Sequence, residues 1–194
     1  MILDVILEKK ENVYDGYNPI DDCFFRLKFT NKNNSNTFSR EVIRRKDAVG
    51  ILLHNKKNDS LIFVRQFRAG NFVKELKKTS LEIPIGLIKK TDNLKEIAIK
   101  ETKEETGLDI KSLEKINSFY PEISSSSRQI HLFYSQINTE EIPTKAGLES
   151  EDEFIFVEEI SIKESKEMLL NGDFDSSHTS IALSWFFLNN KDKK

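Results

Sequence analysis

Several residue types are scarce in this chain, and each scarcity excludes a class of site. The single cysteine, Cys23, excludes a disulfide framework and a zinc centre held by thiolates. The three histidines, His54, His131 and His178, are far apart in the sequence, which argues against a histidine metal site. Any metal is therefore expected to have oxygen ligands, a preference that suits Mg²⁺ or Mn²⁺.

Charge of one sign and long apolar runs are also missing. The 30 basic residues are balanced by 32 acidic ones, for a net charge of -2, so we expect no nucleic-acid partner. No apolar run reaches the length of a membrane-spanning helix, and the first ten residues are too short and too charged for a signal peptide. These features predict a cytoplasmic protein with no membrane partner, and 194 residues suffice for one large domain or one domain with a small appendage.

The N-terminal part of the chain is aromatic and alternating. Cys23–Phe29 and Phe38–Arg45 have the pattern of two strands, and the asparagine-rich segment between them is a strong turn signal. We therefore expect a small antiparallel sheet in residues 1–46, ahead of a main domain in residues 47–194.

The main domain has the pattern of short strands joined by hairpins, with a few helices. The predicted strands are Asp47–His54, Ser60–Phe67, Leu81–Ile85, Ser118–Tyr120, Gln129–Ile137 and Phe154–Ile160. Helices are predicted within Gly86–Leu108 and over Ser161–Asn171 and Ser177–Leu188. This order favours a mixed α/β (α+β) domain over a doubly wound one.

The helix within Gly86–Leu108 carries three carboxylates in five residues, Glu101, Glu104 and Glu105. Its apolar stripe begins at Leu94 and, continued at the helical period, reaches Glu101 and Glu105. Acids then occupy positions where core residues are expected. Buried carboxylates are costly without partners, and a divalent cation is one remedy.

A second interpretation of this helix is a solvated charged face with Lys100 and Lys103 as neighbours of the acids. Charged helix faces are common, so the spacing alone leaves both interpretations open.

The whole Gly86–Leu108 segment resembles the Nudix box. That pattern is Gly, five residues, Glu, seven residues, Arg-Glu, two residues, Glu-Glu, one residue, Gly and an apolar residue. The matching positions are Gly86, Glu101, Glu104, Glu105, Gly107 and Leu108. Asp92 stands in place of the first Glu and Lys100 in place of Arg, and both keep the charge sign. The resemblance implies that these two positions brace the box, here less rigidly.

Further segments resemble the nucleoside-diphosphate-sugar hydrolase branch of that family, which includes ADP-ribose and UDP-sugar pyrophosphatases. They are Leu61–Gly70, Leu81–Gly86, Ser126–Tyr134, Gly147–Val157 and Ser180–Leu188. The resemblance implies an α/β/α sandwich with a mixed sheet. It also implies an N-terminal sheet that pairs two copies as a homodimer.

The implied reaction is attack of water on a diphosphate, which splits a nucleoside-diphosphate sugar into a nucleoside monophosphate and a sugar phosphate with Mg²⁺ as the cofactor, or Mn²⁺ in its place. The implied metal ligands are Glu101, Glu105, Glu153 and the backbone carbonyl of Ile85. In the loop Glu149–Glu153, Glu151 is the expected general base. Glu104 is the second catalytic candidate, as a ligand through water or as a partner of the ligands.

Substrate phosphates or ribose need donors, and the candidates are Gln66, Arg68, Arg128 and, across a dimer, Arg45. Gly86 is expected to let the backbone approach the metal closely.

Two other functions remain open on the sequence. One is a non-catalytic Nudix-like binding module, favoured only by Asp92 and Lys100. The other is a Nudix enzyme for damaged nucleotides or RNA caps, against which the N-terminal sheet and the distant acidic loop argue. The sequence leaves open the preferred base and sugar, the number of metals and whether the dimer exchanges its N-terminal sheet.

Overall fold

A computed structural model describes residues 1–30, 33–75, 77–89, 93–148 and 153–190. The chain divides into two compact units. The first contains residues 1–47 and 120–129, and the second contains the rest of the described chain.

The first unit contains the predicted small antiparallel sheet, which has three strands rather than the two that the sequence pattern identified. Its strands are β1 (Ile2–Tyr14), β2 (Ile20–Phe29) and β3 (Phe38–Ile43), and β2 lies between the other two. The sequence pattern did not predict β1, and it placed the end of β3 two residues too late, at Arg45. Within β1 nearly every residue is exposed, including Leu3, Val5 and Leu7.

The second unit contains a mixed eight-stranded sheet and four helices in its described residues. The strands are β4 (Ala48–Asn55), β5 (Ser60–Gln66), β6 (Ser80–Glu82), β7 (Ile85–Leu87), β8 (Glu114–Phe119), β9 (Ile130–Ile137), β10 (Lys145–Ala146) and β11 (Ile155–Ser161). The helices are α1 (Ala69–Val73), α2 (Leu94–Thr106), α3 (Ile162–Asn171) and α4 (Ser177–Asn189).

Only one strand pair in this sheet is parallel. The main strand order is β10-β11-β5-β4-β9-β8, while β6 pairs with β5 and β7 pairs with β4. The pair β4–β9 is parallel, and the other pairs are antiparallel. None of the helices in the described ranges is long and apolar enough to cross a membrane.

Strand β4 shows why the second unit is a sandwich. Every residue of β4 is buried, so both of its faces must be covered. On one face Val49 and Ile51 pack with Ile97 of α2, and on the other Leu52 packs with Leu183 of α4. The predicted α/β/α sandwich with a mixed sheet is confirmed.

Three elements of the second unit differ from the prediction. The single strand expected over Leu81–Ile85 is two strands, β6 and β7, which pair with different neighbours. Pro84 lies between them, and its carbonyl accepts a hydrogen bond from Ile51 of β4 at 3.0 Å. Helix α1 was not predicted, and β8 begins at Glu114 rather than at Ser118.

Candidate active site

Helix α2 has well-defined ends that fix where its acids lie. The side chain of Asn93 accepts a hydrogen bond from the N–H of Lys95 at 3.0 Å and caps the first turn. The helix ends at Gly107, whose φ of 72° is the left-handed conformation that glycine adopts without strain. The box glycine at this position is therefore a helix terminator.

Glu105 is the most deeply buried acid of the helix, with 5% of its surface exposed. Its Oε2 accepts a hydrogen bond from the backbone N–H of Ile85 at 2.9 Å. Burial raises the pKa of Glu105 to about 8, against the opposing effects of that hydrogen bond and of Arg68, and the charges of Glu101 and Glu153 raise it further. The prediction that the helix directs this acid inward is confirmed.

Glu101 lies against the backbone of Gly86. A Cβ atom built on Gly86 would be 2.1 Å from the carboxyl carbon of Glu101, so no other residue fits there without moving this acid. The side chain of Glu101 is 19% exposed. Gly86 thus allows the strand β7 backbone and the helix α2 carboxylate to approach closely.

Lys100 remains beside the acids in place of the box arginine. Its Nζ lies 2.6 Å from Oε2 of Glu104, one helical turn along, and 3.8 Å from Oε1 of Glu101. The structure therefore pairs Glu104 with a cation on the exposed side of α2, while Glu105 points inward.

The described residues on either side of the distant acidic loop include one that contacts the same helix. The N–H of Gly147 donates a hydrogen bond to the backbone carbonyl of Glu104 at 3.0 Å, and the N–H of Glu153 donates to the carbonyl of Leu148 at 3.2 Å. The charge of Glu153 is close enough to act on Glu105. The predicted base, Glu151, and its neighbours Glu149 and Asp152 lie outside the described residues, as does Asp92 of the box.

Two of the predicted substrate ligands lie near the end of strand β5: Gln66 is its last residue, and Arg68 follows two residues later. Arg68 precedes helix α1, is partly exposed, and is close enough to Glu105 and Glu153 for their charges to help raise its pKa. Gln66 is buried, and within the described ranges its Nε2 has no hydrogen-bond partner. A buried amide donor of this kind is available to a bound molecule.

Arg68 is held by two residues that the sequence pattern did not identify. Its Nε and Nη2 donate to the two carboxylate oxygens of Glu82 at 3.1 and 3.0 Å. The Nε2 atom of His178 lies 3.3 Å from Oε2 of Glu82. Burial opposes ionisation of Glu82, but its contacts with His178 and Arg68 outweigh burial and lower its pKa to about 2.

The other two predicted substrate ligands, Arg45 and Arg128, belong to the first unit. The backbone N–H of Arg45 donates to Oγ of Ser127 at 3.2 Å. Nε of Arg128 donates to the carbonyl of Lys46 at 2.8 Å. The roles assigned to these arginines stay predictions.

The residues around Glu105 fit a divalent cation. Burying a carboxylate is costly, and a bound divalent cation would offset that cost. Glu101, Glu105 and the Ile85 backbone supply only hard oxygen ligands. Among the described residues, which omit Glu149, Glu151 and Asp152, no three acidic, histidine or cysteine side chains form a complete cation site.

Comparison with known proteins places this geometry in a family. The NUDIX domain matches residues 44–180. The ADP-ribose pyrophosphatase of Haemophilus influenzae is 25% identical over 189 residues, which cover 96% of this chain and 87% of the relative. The GDP-mannose pyrophosphatase of Shigella flexneri serotype 5b is 30% identical over 148 residues, covering 75% and 76%.

The fold also matches a solved structure. The crystal structure of an ADP compounds hydrolase superposes with a TM-score of 0.71 at 17% identity, and it covers 100% of this chain and 99% of that one. The predicted resemblance to the nucleoside-diphosphate-sugar hydrolase branch is confirmed, as is the expectation of an enzyme. Because the NUDIX domain matches most of its length, the chain belongs to the Nudix hydrolase family.

Proposed function

We propose that this protein is a divalent-cation-dependent pyrophosphatase that hydrolyses the diphosphate of nucleoside-diphosphate sugars, with ADP-ribose as its first substrate. The products are AMP and ribose 5-phosphate. The proposed cofactor is Mg²⁺, with Mn²⁺ able to replace it. The relatives named ADP-ribose and GDP-mannose pyrophosphatase support this substrate class.

The observation that carries the proposal is the set of charges around Glu105. Glu101 and Glu153 bring further negative charge to this buried carboxylate, and Arg68 brings a partly exposed cation. Acids that attract a cation and an arginine that attracts phosphate are thus side by side. A non-catalytic binding module has no need for a buried acid with further acids close to it.

The chain's own residues then divide the work. Glu101, Glu105, Glu153 and the carbonyl of Ile85 would hold the cation, which would supply charge neutralisation of the diphosphate and a more acidic water molecule. Arg68 and Gln66 orient the diphosphate by hydrogen bonds. Glu151 accepts the proton of the attacking water, and Glu104 supports the ligands from the outer side of α2.

A substrate panel tests the proposal. Purified protein is incubated with ADP-ribose, UDP-glucose, GDP-mannose and a mixture of deoxynucleoside triphosphates, with and without Mg²⁺, and products are separated by chromatography. We expect AMP and ribose 5-phosphate from ADP-ribose only with Mg²⁺. Cleavage of the triphosphates alone would favour another Nudix specificity. If no compound is cleaved, the proposed pyrophosphatase activity is refuted.

We further propose that residues 1–46 dimerise the protein, as a unit distinct from the hydrolase domain at 47–194. Supporting this, β1 is an edge strand whose Leu3, Val5 and Leu7 are all exposed, and exposed apolar side chains on an edge strand favour association. Light scattering should give a mass of two chains for the wild type and of one chain for Val5→Lys/Leu7→Lys. The same mass for both would refute the proposed interface.

A further inference from the structure

A buried carboxylate lies behind the partly exposed Arg68. The side chain of Glu82 on β6 is 4% exposed, while that of Arg68 is 41% exposed. The two carboxylate oxygens of Glu82 accept hydrogen bonds from Nε and Nη2 of the Arg68 guanidinium. Such a contact fixes the plane of the guanidinium as well as its distance.

His178, in the first turn of α4, reaches the same carboxylate from the other side. Its Nε2 lies 3.3 Å from Oε2, the oxygen that also accepts the hydrogen bond from Nη2 of Arg68. In the described part of the chain, this buried ring nitrogen has no hydrogen-bond partner of good geometry. A lone pair facing a carboxylate would be repelled, so we assign the proton of the imidazole to Nε2.

The attachment of α4 to this region does not depend on His178. The next residue, Thr179, is fully buried and accepts a hydrogen bond from the N–H of Ile83 at 3.0 Å. Ser176 donates to the same hydroxyl at 2.6 Å. Thr179 therefore anchors the helix to the segment between β6 and β7, which leaves the contact with Glu82 as a separate feature.

Arg68 links this buried pair to the acid cluster. The guanidinium donates from Nε and Nη2 to Glu82, and the charges of Glu105 and Glu153 also act on it. Nη1 makes no hydrogen bond to any residue in the described part of the chain, so this edge can meet an anion. Its direction is set by how firmly Glu82 is held.

We propose that His178 is a positioning residue for diphosphate recognition: by holding the Glu82 carboxylate it fixes the plane of Arg68, so that the Nη1 edge faces the substrate. The inference rests on the proposed function, because it takes a diphosphate to be the ligand of Arg68. His178 itself does not touch the substrate.

The test compares His178→Gln, which keeps an N–H donor, with His178→Leu, which removes it, in wild-type and Arg68→Lys backgrounds. The measurements are KM and kcat for ADP-ribose with Mg²⁺, and the ¹⁵N–¹H resonance of the Arg68 Nε–Hε group. We expect His178→Leu to raise KM about 5- to 10-fold with a smaller change in kcat, and to shift or broaden that resonance. His178→Gln should stay within about 2-fold of the wild type, and Arg68→Lys should abolish the effect of His178→Leu.

Thr179→Val is the matched control. It should lower the melting temperature while leaving KM and the Arg68 resonance in place, which separates positioning from stability. Equal effects of His178→Leu and His178→Gln, or the same KM increase in the Arg68→Lys background, would overturn the inference. If His178→Leu does not fold, His178→Asn, whose shorter side chain withdraws the donor, takes its place with the same expectations.

The failure of this inference is distinct from the failure of the proposed function. A wild-type protein that cleaves no nucleoside-diphosphate sugar refutes the function. The Arg68 resonance still decides the positioning without substrate: a spectrum unchanged in His178→Leu means that His178 does not hold Arg68.

Discussion

The carboxylate of Glu105 accepts a hydrogen bond from the backbone N–H of Ile85 across 2.9 Å. This contact joins the acidic helix α2 to the strand that carries the box glycine. It places the predicted ligand atoms of Glu105 and Ile85 in one small region. It also leaves Glu105 as a buried acid whose pKa is raised by its burial.

The metal-free protein should therefore lose stability as the pH rises. In the folded state the pKa of Glu105 is about 8, against an ordinary value of 4.5. Between these values the folded state keeps a proton that the unfolded chain releases, so the free energy of unfolding falls by up to about 1.4 kcal/mol per pH unit and levels off above pH 8.

Glu105→Gln, a neutral side chain of the same size, should remove this slope. Urea unfolding of both proteins in EDTA, from pH 5 to 8.5, measures the difference. We expect the variant to become the more stable protein as the pH rises, and the wild type to regain stability when Mg²⁺ is added. Parallel pH profiles for the two proteins would contradict the raised pKa of the buried Glu105.

Gly86→Ala should displace Glu101, because the added Cβ would be 2.1 Å from its carboxyl carbon. We expect a loss of about 1–3 kcal/mol in the free energy of unfolding and weaker binding of Mn²⁺ in a calorimetric titration. The control is Gly70→Ala in helix α1, where nothing lies within 4 Å of the added atom. It should be neutral or stabilise by about 0.4–1 kcal/mol. Equal behaviour of the two variants would show that the approach of Glu101 to Gly86 has no role.

Glu82→Gln should destabilise the protein by about 1.5–3 kcal/mol at pH 7, because it removes the charge of a buried carboxylate that accepts two hydrogen bonds from the partly exposed Arg68. The pKa of Glu82 is lowered to about 2 from an ordinary value of 4.5. Its contribution to stability is therefore present above pH 4.5 and is lost as the pH falls towards 2.

The difference in the free energy of unfolding between wild type and Glu82→Gln should thus be smaller at pH 3 than at pH 7. Glu158→Gln is the control, since Glu158 pairs with Arg65 but is 33% exposed. That variant should cost no more than about 1 kcal/mol at pH 7. If Glu82→Gln lowers the free energy of unfolding no more than Glu158→Gln does, the stabilising role of the Glu82 carboxylate is contradicted.

Lys100→Met should strengthen cation binding. Nζ of Lys100 lies 2.6 Å from Oε2 of Glu104, so the lysine competes with a divalent cation for the charge of these acids. We expect a lower Kd for Mn²⁺ by calorimetry, a loss of no more than about 0.5 kcal/mol in stability from the missing helical pair, and near wild-type values for Lys100→Arg. Weaker cation binding by Lys100→Met would instead give Lys100 a bracing role.

The hydrophobic pattern was sufficient to predict most of the second unit. Strands β4 and β5 contain continuous apolar runs, β9 is rich in apolar and aromatic residues, and Asn93 and Gly107 mark the ends of α2. The pattern missed β1, because its lysines and glutamates give the exposed edge strand no apolar periodicity. The sequence pattern predicted one strand in place of β6 and β7, because a proline such as Pro84 is compatible both with the end of a strand and with a break between two strands.

The sequence predicted only part of the candidate site. The box residues were found because a fixed spacing on one helix brings their acids together. Glu82 and His178 were missed, because their contact joins residues that are far apart in sequence and follows only from the packing of α4 against β6. The approach of Glu101 to Gly86 likewise depends on the tertiary fold, although both belong to the box.

The most direct measurement is the hydrolysis of ADP-ribose by wild type and Glu105→Gln at equal concentration, with AMP and ribose 5-phosphate quantified with and without Mg²⁺. The account predicts Mg²⁺-dependent release of both products by the wild type. For Glu105→Gln it predicts that the rate of hydrolysis falls by more than the roughly 10- to 100-fold expected when a residue that only supports the metal ligands is mutated. Circular dichroism should show that this variant is folded. Near wild-type turnover by Glu105→Gln would contradict the assignment of the cation to this cluster.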